Sequence, residues 1–393
     1  MSSAPIDLMS TAFYGDIDGM HETLRELRHE GAVCRDDVNG IWGVLRHAEV
    51  IDVERRDATF CSSQGYRFVG APGEQDTIAL DDPDHAEQRK LVARRFTPKA
   101  VNDLQPVIAR VMDELIDAFI DKGEVDLVNE LAAPFPAKMT AFLLGFPDDQ
   151  WPLIKTASER LMRTDEVGRD PVAAGQFVEA IMEFNSVLAP ILAEARINPN
   201  DDLVGIWAQS ELKGCPMDDG HIMQETGLFI SGGAETTRTT IARGLMTFAD
   251  HNDQWDAMAA DASLIPGAVE EVLRWVTPLN NFFRTATEDS HIADTAVKAG
   301  DKVCLLYPSA NRDELVFDDP YRFDIRRSPN PQVAFGFGTH FCLGAPLARQ
   351  ELRMLFANLA PRIKNLRVVE AADIEPNVFV GAVRSARLGF DLR

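Results

Sequence analysis

The 393-residue chain carries 62 acidic against 39 basic side chains, a formal net charge of −23, which sets it against nucleic acid and anionic membrane as general partners. Hydrophobic residues make up 45% of it, enough for a large core, and the opening MSSAPIDLMSTAFYGDIDG has no basic stretch followed by an apolar run. Neither a signal peptide nor a membrane anchor is expected, and a cytoplasmic location follows. No Pro/Ser-rich linker, repeat or shift of composition divides the sequence, so residues 1–393 read as one domain. The five cysteines are widely spaced and lack a CxxC pair, which argues against a disulfide framework and a structural zinc site. Cys34, Cys61, Cys215 and Cys304 read as packing residues.

In chain order, Ile41 to Leu45 alternates as a short strand, and Asp82-Pro83 opens a helix that sets His85 and Arg89 at i, i+4 on one face. Arg89, Lys90, Arg94 and Arg95 then concentrate four cations in an acidic protein; a solvated helix face is the plain alternative. Val107 to Phe119 and Val178 to Ala195 have helical periodicity. Met217 to Leu264 contains no proline, and His221 to Ala249 reads as one long apolar helix broken by Gly232 and Gly233. Glu271 and Arg274 share a helix face, and Phe282 to Thr287, Val303 to Tyr307 and Leu366 to Val369 are short strands. The sum is a mainly α protein with small β-sheets.

Two features carry chemistry. In Phe335-Gly336-Phe337-Gly338-Thr339-His340-Phe341-Cys342-Leu343-Gly344, glycines permit turns and close approach, Phe335 can lie against a planar macrocycle, and Cys342 can reach its metal. From Leu343 an apolar pattern with Pro346 in its first turn reads as a helix whose N-terminus faces the thiolate. Adjacent glycines inside a helix cost about 1 kcal/mol each relative to alanine, so Gly232-Gly233 before Ala234-Glu235-Thr236 asks for a compensating reason. A ligand close to the backbone is one, and the Thr236 hydroxyl can bond the Gly232 carbonyl and open a groove for dioxygen and water. A packed glycine pair with a surface glutamate is the bland alternative.

The cysteine segment resembles, position by position, the haem-binding loop of the cytochrome P450 family in its soluble bacterial form, and three further signatures follow in the family's order. The resemblance implies the P450 fold, with the long central helix crossing haem b, and a haem-thiolate monooxygenase that inserts one oxygen atom of O2 into a C–H bond. It assigns Cys342 to the iron, and His85, Arg89, Arg284, Phe335, Gly336, His340 and Gly344 to the cofactor. Glu235 and Thr236 become the proton relay; relatives often carry aspartate as the acid. A zinc site at His340 and Cys342 would lack its third and fourth ligands. The resemblance also makes Glu271, Arg274 and Arg322 of Pro320-Tyr321-Arg322-Phe323 a buried structural triad, so that Glu271→Ala is expected to yield no haem-loaded protein.

No flavin or nicotinamide site is legible, so electrons are expected from a ferredoxin and its reductase, docking near Arg89, Lys90, Arg94 and Arg95. Phe68, Val69, Met162, Ile230, Gly233, Ala234, Leu279, Asn280, Phe282 and Phe379 fall at family pocket positions. They point to a hydrophobic substrate, although each can equally be core. The run from Glu270 to Asn281 looks like enzymes oxidising sterol side chains, terpenoids or branched lipids. Asn280, Asn281 and Tyr66 could bond a ketone or hydroxyl, and Arg67 a carboxylate. The alternatives are phenol coupling or desaturation by the same haem-thiolate fold and, more distantly, a non-enzymatic haem sensor.

Overall fold

The computed structural model describes residues 5–70, 73–163 and 170–393. Helices dominate, and their bounds follow local chemistry. Gln105–Asp117 buries Ile108, Val111, Met112 and Ile116 on one face. Pro171–Ile197 starts with Pro171 in its first turn and runs for 27 residues.

The expected long helix is present as two helical halves joined by a π turn. Asp219–Ile230 is capped by Asp218, whose carboxylate accepts from the His221 amide at 2.9 Å. Ser231–Glu235 then widens into a π turn, and Thr236–Asp250 resumes the α-helix. The glycine pair sits in that turn, where the ladder is already disturbed. Beyond it, a β-carbon on Gly244 would meet Val272 Cγ1 at 2.8 Å, so glycine lets Thr236–Asp250 pack tightly on the helix Ile265–Val276. Phe248 meets Trp255, Phe323 and Phe356 edge-on, with ring centroids 5.2, 5.4 and 5.5 Å away, and pins the same half against Ala345–Leu359.

A five-stranded sheet runs in the order Val33–Asp36, Ile41–Val44, Lys302–Leu306, Asn281–Ala286, Phe60–Cys61. Lys302–Leu306 pairs parallel with Ile41–Val44 and antiparallel with Asn281–Ala286. A second sheet orders Ile363–Ile374, Val383–Leu392 and Glu124–Asp126. The sequence reading found part of Ile363–Ile374 and missed its partner, because repeated register shifts between the two break the alternation that marks a strand.

Cys61 and Cys304 are buried and Cys34 partly so, but Cys215 is exposed on the Glu211–Pro216 hairpin, correcting the expectation that all four pack. Among the described residues no helix is long and apolar enough to cross a membrane, and no group of three or more His, Cys, Asp or Glu is placed to hold a metal ion.

Candidate active site

The cysteine loop is a tight fold of backbone held by its own amides. Cys342 N–H donates to the Phe335 carbonyl at 2.9 Å, and Gly336 N–H to Val333 at 3.0 Å. Gly336 and Gly338 have φ of +68° and +71°, and a β-carbon on Gly338 would collide with the Glu54 carbonyl, so glycine is required there twice over. The helix Ala345–Leu359 starts three residues past the cysteine with Pro346 in its first turn, as the sequence predicts. Burial pushes the Cys342 thiol up; the amides of Gly344 and Ala345 and the charges of Arg89 and Arg349 oppose that shift. Arg349 also lies 4.6 Å over the Phe335 ring and pairs with Glu270 at 2.6 Å, tying the loop's aromatic to the helix Ile265–Val276.

Cys342 opens onto a cavity whose unfilled space, together with the open solvent at its mouth, comes to about 1810 Å³. His85, Arg89, Arg284 and His340 all line it, as do Phe335, Gly336 and Gly344. The His85 and His340 rings stand 4.2 Å apart, Arg89 Nη2 donates to the Phe341 carbonyl at 2.5 Å, and Ser62 Oγ lies 3.2 Å from His340 Nε2. Burial first, and then the charges of Arg284, His85 and Arg89, lower the His340 pKa to about 2 and hold it neutral. His85 Nε2 is buried with no hydrogen-bond partner, while Nδ1 is held by Asp82 at 3.0 Å. A cationic cluster with an orphaned imidazole nitrogen is suited to carboxylates from a ligand.

Glu54 and Tyr307 escaped the sequence reading. Glu54 sits 3.7 Å from Arg284 and accepts from Tyr307 Oη at 2.8 Å, and burial raises its pKa to about 7. No sequence signal marks Glu54 out: it is one of three acidic residues, with Glu49 and Asp52, in the helix His47–Arg55, and only the structure shows that it is buried.

The triad behind the loop differs from expectation in one member. Arg274 makes a two-pronged bond to Glu271 at 2.7 and 2.8 Å, both side chains fully buried. The second arginine on Glu271 is Arg327, at 3.2 Å, and not Arg322, whose side chain is 68% exposed beside Asp324. Only the Arg322 carbonyl takes part, accepting from Arg327 and Arg274. The chain reverses between the two residues, so position in the motif could not tell which side chain turned inward. Glu271 also accepts from Asn330 and the Asp324 amide, gathering the segment that leads into Val333 and the cysteine loop.

Across the cavity, Thr236 Oγ1 donates to the Gly232 carbonyl at 2.7 Å, and Gly232, Gly233 and Thr236 line the space. Glu235 is buried behind this wall, 3.1 Å from Arg238, which also holds Glu159; burial raises the Glu235 pKa. Met162, Leu279, Phe282 and Phe379 line the cavity. Ile230 and Ala234 turn into the main core instead, Phe68 packs on Phe283 with centroids 5.8 Å apart, and Val69 is half exposed. Asn280 donates to the carbonyls of Asn377 and Val378, and Asn281 to Val378, so these amides brace a turn and are not among the lining groups. Tyr66 and Arg67 do line the cavity.

The sequence profile described as Cytochrome P450 matches residues 176–370. A steroid C26-monooxygenase of Mycolicibacterium smegmatis is 39% identical over 387 residues, covering 98% of this chain and 96% of its own. The chain belongs to the cytochrome P450 family. A second steroid C26-monooxygenase, from Mycobacterium tuberculosis, is 37% identical over 99% of this P450 and 98% of its own length. Among solved structures, the Mycobacterium marinum cytochrome P450 CYP268A2 in complex with pseudoionone superposes with a TM-score of 0.90 at 33% identity, over 99% of this chain and all of that one.

This P450 is therefore a haem-thiolate monooxygenase, with haem b as cofactor and O2 and redox partners as co-reactants. The residues present fit the cofactor: a thiol, an aromatic face and glycine backbone at one wall, and cations for two propionates at the rim. When bound, thiolate-ligated haem supplies the activation of dioxygen and the transfer of one oxygen atom to a C–H bond.

Proposed function

We propose that this P450 hydroxylates the side chain of a sterol or a sterol-like terpenoid, with Cys342 as the thiolate ligand. The single observation carrying this reading is the cavity, which has a thiol on one wall, a threonine-opened helix on the other and an apolar lining between. The names of its relatives, two of them steroid C26-monooxygenases, supply the substrate class. His85, Arg89, Arg284 and His340 hold the propionates, whose carboxylates would offset the positive charge gathered there. Gly232, whose missing β-carbon would face open space, leaves the central helix without a side chain where the substrate and dioxygen must sit, while Gly233 makes room for Thr140. Thr236 Oγ1, whose own proton goes to the Gly232 carbonyl, offers an acceptor at the cavity surface, and Glu235, its acidity weakened by burial, supplies protons from the Arg238–Glu159 side. Residues 1–393 act as one domain in the cytoplasm. A ferredoxin, reduced by its own reductase, docks on the exposed face of Asp84–Ala93 and the turn after it, at Lys90 and Arg94 with Arg89 and Arg95 behind.

The test is a carbon monoxide difference spectrum of the reduced protein, followed by titration of the ferric form with a steroid, a terpenoid and an aromatic acid. A strongly red-shifted Soret band with a low-to-high-spin change on steroid is expected. A histidine-like or neutral-thiol spectrum would remove Cys342, and a spin shift with the aromatic acid alone would remove the sterol.

A further inference from the structure

The charged side chains lining the cavity fall into two places. Glu54, Arg89 and Arg284, with His85 and His340, surround the cysteine loop, and Glu351 comes from the helix behind it. Arg67 stands apart, on the wall that Met162 and Phe379 also line. Its Nη1 donates to the Leu161 carbonyl at 3.0 Å, and its guanidinium lies 4.5 Å over the Phe379 ring and 5.3 Å from the Tyr66 ring. A succession of rings separates it from the propionate end. Phe379 meets Phe282 at 5.3 Å between centroids, Phe282 meets Tyr307 at 6.1 Å, and Tyr307 reaches Glu54. Met162, Leu279, Phe282 and Phe379, which form the surrounding lining, offer no side-chain hydrogen bond, so Arg67 brings the strongest donor to that wall.

We propose that Arg67 is a specificity-determining residue that donates to a carbonyl oxygen at the end of the substrate remote from the oxidised carbon. A guanidinium fixed by a backbone carbonyl and two ring faces is already oriented, so little freedom is lost when it binds. A ketone brings two lone pairs and no donor of its own, which matches a group that can only donate. In a sterol oxidised on its side chain, the oxygen on the first ring is at the opposite end, where Arg67 would receive it. The inference thus rests on the sterol reading and deepens it.

The experiment is a spin-state titration of the ferric holoprotein and its Arg67→Gln and Arg67→Lys variants. Two ligand pairs serve as probes: cholest-4-en-3-one with cholest-4-ene, and pseudoionone with the hydrocarbon lacking its oxygen. The carbon monoxide spectrum of each variant checks that the haem site is intact. The wild type is expected to bind each ketone about tenfold or more tightly than its hydrocarbon, the range for a hydrogen bond to a charged donor. In Arg67→Gln the preference collapses through weaker ketone binding while the hydrocarbon is unaffected, and Arg67→Lys keeps part of it. An unchanged ketone-to-hydrocarbon ratio in Arg67→Gln, or no preference in the wild type, overturns the proposal. Should the terpenoid pair behave as expected while neither steroid shifts the spectrum, the sterol reading falls and Arg67 stands. Silence from all four ligands overturns both.

Discussion

Thr236 and Glu351 show how single side chains in this cavity are set for proton chemistry. Thr236 spends its hydroxyl proton on the Gly232 carbonyl, so its oxygen is left to face the cavity as an acceptor, and its loss should leave the fold intact. In Thr236→Ala, product formed per NADH consumed should fall by roughly 10²-fold, with the two electrons and two protons appearing in hydrogen peroxide. Measuring NADH, product and peroxide together checks this, and unchanged coupling would remove Thr236 from the relay. Glu351 lines the cavity from the helix Ala345–Leu359, and burial raises its pKa from 4.5 to about 8. Between those values the folded protein keeps a proton that the unfolded chain has released. Its contribution to stability is therefore whole below pH 4.5 and lost as pH rises through 8. Urea unfolding at pH 5.5 and 8.5 should show this loss, on the order of 2–4 kcal/mol, and Glu351→Gln should flatten it.

At the scale of elements, the cysteine loop is held by what lies behind it. The helix Ile265–Val276 presents Glu271 and Arg274 inward, and Arg327 closes the cluster from the segment that precedes the loop. Removing Arg327 leaves Glu271 with one buried cation fewer, while Arg322 is already in solvent. Arg327→Ala should therefore destabilise the protein by about 3 kcal/mol and lower its haem content, and Glu271→Ala by about 3–5 kcal/mol with no haem retained. Arg322→Ala should fall within about 0.5 kcal/mol of the wild type. Chemical denaturation and the haem-to-protein absorbance ratio of the purified variants distinguish these outcomes; equal effects at 322 and 327 would return the role to the motif residue.

Over the whole molecule, a net charge of −23 coexists with a basic patch of Lys90, Arg94 and Arg95 where Asp84–Ala93 passes into the next turn. The proposed docking of an acidic ferredoxin near Lys90 and Arg94 sets the total charge, which repels it, against the patch, which attracts it, and should therefore depend steeply on salt. Reversing both charges, Lys90→Glu with Arg94→Glu, is expected to slow the second-order reduction by such a ferredoxin about 10- to 100-fold at low ionic strength. The gap should narrow as the Debye length drops toward about 3 Å near 1 M salt. Stopped-flow reduction at several salt concentrations measures it, and a deficit independent of salt would place the docking site elsewhere.

Local signals in the sequence determined the mainly helical class, the break at Gly232-Gly233, the Thr236–Gly232 bond and the position of Cys342 before a helix N-terminus. Each depends on residues within a few places of one another, where spacing, glycine and proline act directly on the backbone. Tertiary structure decided the rest. Which of Arg322 and Arg327 turns toward Glu271, whether Asn280 faces a ligand or the turn at Asn377, and that Glu54 and Tyr307 stand beside Arg284 all depend on segments far apart in the chain. So does the placing of Ile230, Ala234 and Phe68 in the core: an apolar side chain looks the same in sequence whether the space beside it is filled by protein or left open for a ligand.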